Sequence, residues 1–337
     1  MVLIRADANE VIGSGHIMRC MSVARSLVKN GEDVRFIVSD HKSESLVSAN
    51  GYKGICLNSD YNRMEDEIQS LITVIKEQKP VLLLVDSYYV TKEYFRALSE
   101  YVKIAYMDDL NTEYWNVDCL INYNIFAEDM DYSAYTGGKT TLLLSPRYAP
   151  LREEFQNINK RHVKETVTDV LVSAGGSDPE MITERIMDRI CGKYPDIAFH
   201  FVVGALNPRI EEIKKREHGN IVLHINEKHM AALMQKCDIA IAASGSTLYE
   251  LCACGMPAIT FSLADNQMPA TDAFERLEVM ISVGDCRGND EFIDDLDHKL
   301  SDLIINTEKR RALSEKMQTI VDGRGAERLA EVFMGRL

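Results

Sequence analysis

The sequence predicts an α/β protein made of two doubly wound, Rossmann-like halves. Three observations carry that prediction. Short apolar runs alternate with helical patterns along the whole chain, its 337 residues exceed one ordinary core, and glycine-bearing motifs fall where apolar runs end. Runs so continuously apolar, spaced by helices, belong to parallel sheets covered on both faces. In such sheets a ligand lies outside the carboxyl ends of the strands. If the two open ends face each other, the cleft between the domains holds the site.

The first run, Met1-Val2-Leu3-Ile4, opens a buried strand expected over 2–5. Gly13-Ser14-Gly15-His16-Ile17-Met18-Arg19-Cys20 follows, and Ile17, Met18, Met21, Val23, Ala24, Leu27 and Val28 keep a helical spacing. The glycines therefore sit in a strand-to-helix turn and His16 in the first helical turn. Backbone N–H groups are unpaired there and the helix dipole disfavours a cation. A neutral imidazole in that place is equipped to take a proton from water. A histidine that merely caps or packs the helix fits the same pattern.

Further strands are expected over 34–38, 54–57, 81–85, 102–107 and 120–123, with helices over 65–77 and 92–100. The polar stretch 152–165 reads as a linker. Strands of the second half are expected over 169–173, 198–203, 221–225, 239–243, 258–262 and 281–283. From Asp290 the pattern is helical to the end. The expected division is an N-terminal domain over 1–155, a C-terminal domain over 166–321, and a helical tail over 322–337. The last helix of that tail, over 326–337, is expected to pack back on the first domain.

Three motifs close strands of the second half. In Gly175-Gly176-Ser177-Asp178-Pro179 the proline suits a first helical position, with Asp178 or Ser177 as the cap. Its paired glycines form either a phosphate cradle or an ordinary βα turn. In Ser244-Gly245-Ser246-Thr247-Leu248-Tyr249-Glu250 the spacing of Thr247 and Glu250 matches a capping box. The same residues can hold a diphosphate through Ser246 and Thr247 and a ribose through Glu250. Ala264-Asp265-Asn266-Gln267 offers amides that both donate and accept, suited to sugar hydroxyls or N-acetyl groups and equally at home in a plain loop.

Composition excludes several classes. A formal charge of −14 argues against nucleic acid and anionic membranes as partners, although a local nest of N–H groups can still bind an anionic small molecule. Eight cysteines without a Cys-x-x-Cys pair read as reduced core residues rather than disulfides or zinc ligands. No run is long enough to span a bilayer and no basic-then-apolar leader opens the chain, so the expected compartment is the cytoplasm. The expected assembly is a monomer or weak dimer.

Together these segments resemble a known family. Gly13 to Cys20, Asp86-Ser87-Tyr88 and Asp108-Asp109 fit its first domain. Leu151-Arg152-Glu153-Glu154-Phe155 fits the junction, and the Gly175, Ser244 and Ala264 motifs fit the second domain. Their order is similar to that of the UDP-sugar hydrolases of the pseudaminic acid pathway and of related spore-coat polysaccharide biosynthesis proteins. The resemblance covers about the first 280 residues. The His16 and Ala264 segments are its specific parts.

The resemblance implies a glycosyltransferase-B architecture of two Rossmann-like domains, with UDP bound mainly by the second. It implies that His16 is the base that activates water and that Gly15 shapes the turn presenting it. Gly175, Gly176, Ser246 and Thr247 would surround the diphosphate and Glu250 the ribose, while Asn266 and Gln267 face the sugar or phosphate. Asp86 and Tyr88 would line the sugar side, Arg152 would hold the junction or an anionic group, and Arg19 belongs to the same binding set. The implied reaction releases UDP from a UDP-linked diacetamido-trideoxy sugar with inversion, using water and neither cofactor nor metal.

Asp129-Met130-Asp131 has the Asp-x-Asp form of metal-dependent glycosyltransferases but lies in a tyrosine-rich loop and reads as chance. An NAD-binding reading founders on Met18, which stands where a third glycine belongs. Rival readings of the same architecture are a glycosyltransferase resembling the enzyme that completes the lipid-linked peptidoglycan precursor, a UDP-sugar epimerase, and a non-catalytic UDP-sugar-binding protein. A transferase of that kind needs an apolar, basic-rimmed surface for its acceptor, and no segment here supplies one. A binding protein would leave His16 without a purpose.

Overall fold

A computed structural model describes residues 1–9, 11–204 and 207–335. Its contacts divide the chain into two units, Met1–Arg152 with Arg324–Leu337, and Glu153–Gly323.

In the first unit the elements follow as β1 (Val2–Ala6), α1 (Gly15–Lys29), β2 (Val34–Val38), α2 (His41–Ala49), β3 (Lys53–Cys56), α3 (Ile68–Gln78), β4 (Leu82–Asp86), α4 (Lys92–Ser99), β5 (Lys103–Met107), β6 (Cys119–Asn122) and β7 (Thr141–Leu144). All pairings are parallel, in the order β3-β2-β1-β4-β5-β6-β7. Strand residues alternate between the faces. Val2, Ile4 and Ala6 join one core cluster with Leu27 of α1, whereas Leu3 joins another with Leu71 of α3 and Phe95 of α4. Buried on both faces, these strands have little room for polar side chains, hence their apolar runs.

The second unit runs β8 (Asp169–Ser173), α5 (Ile182–Arg189), β9 (Ala198–Val203), α6 (Ile210–Lys214), β10 (Ile221–Ile225), α7 (Met230–Lys236), β11 (Ile239–Ala243), α8 (Thr247–Cys254), β12 (Ala258–Ser262), α9 (Met268–Arg276), β13 (Ile281–Asp285), α10 (Phe292–Ile305) and α11 (Thr307–Ile320). Its parallel sheet has the order β10-β9-β8-β11-β12-β13. Both sheets therefore reverse direction at their first strand, between β1 and β4 in one and β8 and β11 in the other. Such a switch point leaves a crevice at the carboxyl ends of the two strands. The chain closes with α12 (Gly325–Gly335), whose Leu329, Ala330 and Phe333 enter the core cluster that contains α1. Positions 336 and 337 of the expected last helix lie outside the described residues.

Some details depart from the sequence reading. The helix expected over 65–77 begins as a 3₁₀ turn at Met64–Glu67 before α3 takes over. Strand β7 had no counterpart, because it lies at the sheet edge, only Leu143 of its four residues is buried, and it carries no strong pattern. The stretch 152–165 is not a free connector. Phe155 is fully buried, and Arg161 donates to the carbonyls of Met234 and Cys237 within the second unit. All eight cysteines are free, and every one except the half-buried Cys56 is buried.

Candidate functional site

The loop leaving β1 is tied by an Asx turn, in which Asn9 Oδ1 accepts from the N–H groups of Val11 and Ile12 at 2.9 Å. Gly13 adopts φ 69°, the left-handed conformation that glycine enters without strain. Gly15 is the first residue of α1 and has no such φ, so the turn is shaped by Gly13 rather than Gly15. His16 then emerges in the first helical turn, buried, over the switch point of the first sheet.

Three residues on one face of α1 converge on Asp86, the last residue of β4, which pairs across the sheet with Ala6. His16 Nδ1 lies 2.6 Å from Asp86 Oδ1. Arg19 brings Nε to Oδ2 and Nη2 to Oδ1, both at 2.6 Å, and the Cys20 thiol lies 3.5 Å from Oδ2. Spacings of three and four residues place side chains on one helix face, which explains why positions 16, 19 and 20 share a carboxylate. Arg19 is further held by Asp109, at 2.9 and 3.2 Å, and by the Tyr123 hydroxyl at 2.8 Å.

The electrostatics favour one tautomer. Burial opposes ionisation of Asp86, but Arg19 and then His16 outweigh it and hold the carboxyl well below the usual carboxylate range. Burial likewise opposes the charge on Arg19, and Asp109 and Asp86 more than offset it. A buried carboxylate 2.6 Å from Nδ1 needs a proton between the two atoms, so Nδ1–H donates, and in the neutral ring Nε2 is then the atom that carries the lone pair. Arg19 Nη2, 3.3 Å from the same nitrogen, is then a neighbour of Nδ1 rather than its donor.

Tyr88 packs edge-on against the imidazole, with ring centroids 4.6 Å apart, and donates to Asp109 at 2.9 Å. Burial and then Asp109 push its hydroxyl pKa up, so it remains a donor. Beside His16 lies a small cavity with about 10 Å³ for the centre of a water molecule, lined by Asp7, Ile12, Asp86, Tyr61, Tyr88 and Tyr89 among others. That is room for about one water.

In the second unit, Gly175 has φ 81°, and Gly176 lies so close to Gly204 that a Cβ on the latter would come within 2.7 Å. The helix does not start at Pro179 as expected. Asp178 and Met181 both have positive φ, which delays α5 to Ile182. The buried Asp178 carboxylate accepts from Ile182 and Thr183 N–H at 2.9 Å each. It therefore takes up two of the N–H groups at that helix end. At α8 the cap position is Ser246 rather than Thr247, and the Ser246 side chain makes no cap hydrogen bond, so the helix does not start as the capping-box spacing suggested. Gly175, Gly176 and Ser246 are exposed, while Thr247 and Glu250 are half-buried. Beneath them, Ser244 Oγ meets Thr260 at 2.8 Å and Thr271 at 2.5 Å in a buried hydroxyl chain. Gln267 Oε1 accepts from Leu263 N–H at 2.8 Å, so this oxygen closes its own loop rather than facing a ligand. Asn266 is exposed, and the half-buried Arg152 ends the first segment of the first unit.

The first unit thus brings His16, Arg19, Asp86 and Tyr88 into one cluster. Sequence reasoning placed Asp109 in a motif of the first domain without giving it a role, and it missed the cluster's Tyr123 and the pocket's Asp7. Arg5, a charge inside an apolar strand, was the legible signal, since such a charge demands buried partners. Asp131 of the Asp-x-Asp segment accepts from Ser133 N–H at 2.8 Å. Among the described residues, His41, Glu44 and Cys56 are the group close enough to share a metal ion, and none of them lines the cavity beside His16.

No protein-family model matches the chain. Among solved structures it is similar to MurG of Acinetobacter baumannii, with TM-score 0.70 and 11% identity over 98% of both chains, which shows a glycosyltransferase-B fold. Among curated proteins it is 24% identical to the spore coat polysaccharide biosynthesis protein SpsG of Bacillus subtilis, over 98% of this chain and 96% of that one. It is 25% identical to an uncharacterized protein of Methanocaldococcus jannaschii over 81% of this chain, spanning 58% of that protein's length. The UDP-2,4-diacetamido-2,4,6-trideoxy-β-L-altropyranose hydrolase of Campylobacter jejuni is 30% identical over 74% of this chain and 86% of its own length. At that identity and coverage, the chain belongs to the family of UDP-2,4-diacetamido-2,4,6-trideoxy-β-L-altropyranose hydrolases.

Proposed function

We propose that this protein hydrolyses a UDP-linked diacetamido-trideoxy sugar to UDP and free sugar, with inversion at the anomeric carbon, for nonulosonic acid biosynthesis. The observation that carries the reading is the 2.6 Å contact of His16 Nδ1 with the Asp86 carboxylate, beside a water-sized cavity. Asp86 orients the ring and fixes the proton on Nδ1, which leaves Nε2 to accept a proton from water. Arg19 holds the far oxygen of Asp86 and so keeps the carboxylate from turning. As the water oxygen bonds to the anomeric carbon, the bond from that carbon to the β-phosphate oxygen breaks and its electron pair leaves with UDP. UDP is already a good leaving group, so a protonating acid is less needed than in an ordinary glycosidase. Developing phosphate charge is met by the exposed Gly175-Gly176 turn and the N-terminus of α8 at the exposed Ser246, with Glu250 on the ribose.

The test is UDP release from a panel of UDP-sugars without acceptor or metal, with proton NMR following the anomeric signal. Release with inversion from a diacetamido-trideoxy sugar supports the reading. Tight UDP binding with no release from any sugar overturns it in favour of a transferase. His16→Asn should lower kcat by about 100-fold or more, in the range of general-base catalysis, while the Kd for UDP stays within twofold. Turnover at the parent rate would remove His16 from the mechanism.

A further inference from the structure

The proposed reaction uses His16 and Asp86, yet the cavity has another buried carboxylate in its wall. Asp7 follows the last residue of β1 and is 4% exposed. Its Oδ1 accepts from Ser39 N–H at 2.7 Å and its Oδ2 from Arg5 Nη1 at 2.5 Å. A carboxylate oxygen accepts two hydrogen bonds, so each of these retains capacity for a further donor.

The reason such a carboxylate survives in the core lies behind it. Arg5 is fully buried and also binds Glu67, through Nε at 2.7 Å and Nη2 at 2.9 Å. Glu67 is completed by Ser59 Oγ at 2.7 Å and by the Tyr94 hydroxyl at 2.9 Å. Burial opposes the charge on Arg5, and Asp7 and Glu67 together more than offset it. One guanidinium therefore faces two carboxylates, and the cluster carries an excess negative charge. Of its members only Asp7 reaches the cavity wall. Buried ion networks are costly against apolar packing, so one that ends at a cavity calls for a role there. Here the charge is placed on the same water-sized cavity as His16.

We propose, resting on the hydrolytic reading above, that Asp7 is a second catalytic residue whose carboxylate and His16 Nε2 hold the attacking water between them. Asp7 accepts a hydrogen bond from one O–H and keeps it oriented. His16 takes the other proton as the oxygen bonds to the anomeric carbon and UDP departs with the electron pair. Two acceptors fix the direction of the water's lone pair, which one acceptor alone leaves free to swing.

The first arm of the test needs no variant. A high-resolution crystal structure of the parent chain should contain a water within hydrogen-bond distance of both His16 Nε2 and an Asp7 oxygen. Its absence overturns the proposal, and its presence without hydrolysis of any UDP-sugar sinks the functional reading while the water site stands. The second arm is kinetic. Asp7→Asn should lower kcat by about 10- to 100-fold, the scale of a misplaced reactant, with KM and UDP affinity unchanged. Glu67→Gln damages the same buried network but does not line the cavity, so at an equal loss of unfolding midpoint its loss of kcat should be clearly smaller than that of Asp7→Asn. A kcat for Asp7→Asn within threefold of the parent, or an equal loss in Glu67→Gln, overturns the proposal.

Discussion

The proton on His16 is decided by a residue seventy positions away. Asp86 accepts from Nδ1 at 2.6 Å, and Arg19 anchors both of its oxygens. In Asp86→Asn an amide replaces the charged acceptor, the ring loses its preference for the Nδ1–H tautomer, and Nε2 is no longer reliably bare. By analogy with the Ser-His-Asp arrangement, kcat should fall by about 100-fold or more with UDP affinity unchanged, as steady-state kinetics beside calorimetry will read. A parent-like kcat would show that the carboxylate only packs. The sequence showed Asp86 and Arg19 as ligand-binding candidates. The structure turns both side chains onto each other, because the strand pairing that brings Asp86 beside Ala6 is invisible to local spacing.

At the scale of an element, α5 illustrates how a single carboxylate sets a boundary. Asp178, at φ 45°, accepts from the N–H groups of Ile182 and Thr183, and the helix begins after it. Replacing it with alanine leaves two buried donors unmet. The expected cost is about 1–2 kcal/mol, seen as a lower urea midpoint of the second unit. An unchanged midpoint would mean that water meets those donors equally well. Helix α1 shows the converse case. Its register was legible from the apolar spacing alone, because one face must meet the sheet. The spacing placed both glycines in the turn before it, but a Gly-x-Gly pair does not say which glycine carries the positive φ, and the structure gives it to Gly13.

On the scale of the whole molecule, pH acts both through a histidine outside the candidate site and through Asp86 within it. His200 on β9 is buried, with Nε2 2.8 Å from Asp169 of β8 and Nδ1 2.9 Å from His224 of β10. Lys236 at the end of α7 lies 3.4 Å from Nε2, and Glu227 pairs with His224. Burial lowers the His200 pKa and Lys236 lowers it further, against the pull of Asp169. The unfolded chain therefore binds more protons here, and stability falls as pH drops below the ordinary histidine value of about 6.5. Asp86 has its pKa depressed, so its contribution holds above the ordinary carboxylate value of about 3.9 and is lost only below it. Urea midpoints should thus be lower at pH 5.5 than at pH 7.5 by an amount that shrinks in His200→Gln. Equal slopes in the two chains would remove His200 as the source. By itself the sequence determined the two parallel α/β units, five strands of the second unit to the residue, and the place of His16 after the first strand. It could do so because burial on both faces of a sheet demands continuous apolar runs, and that demand is local. Only the tertiary structure decided which carboxylate holds His16, which charges Arg5 and Arg19 neutralise, and that Asp7 shares a cavity with the imidazole. Those relations join residues of separate strands and helices, and hydrogen-bond partners are chosen by position in space.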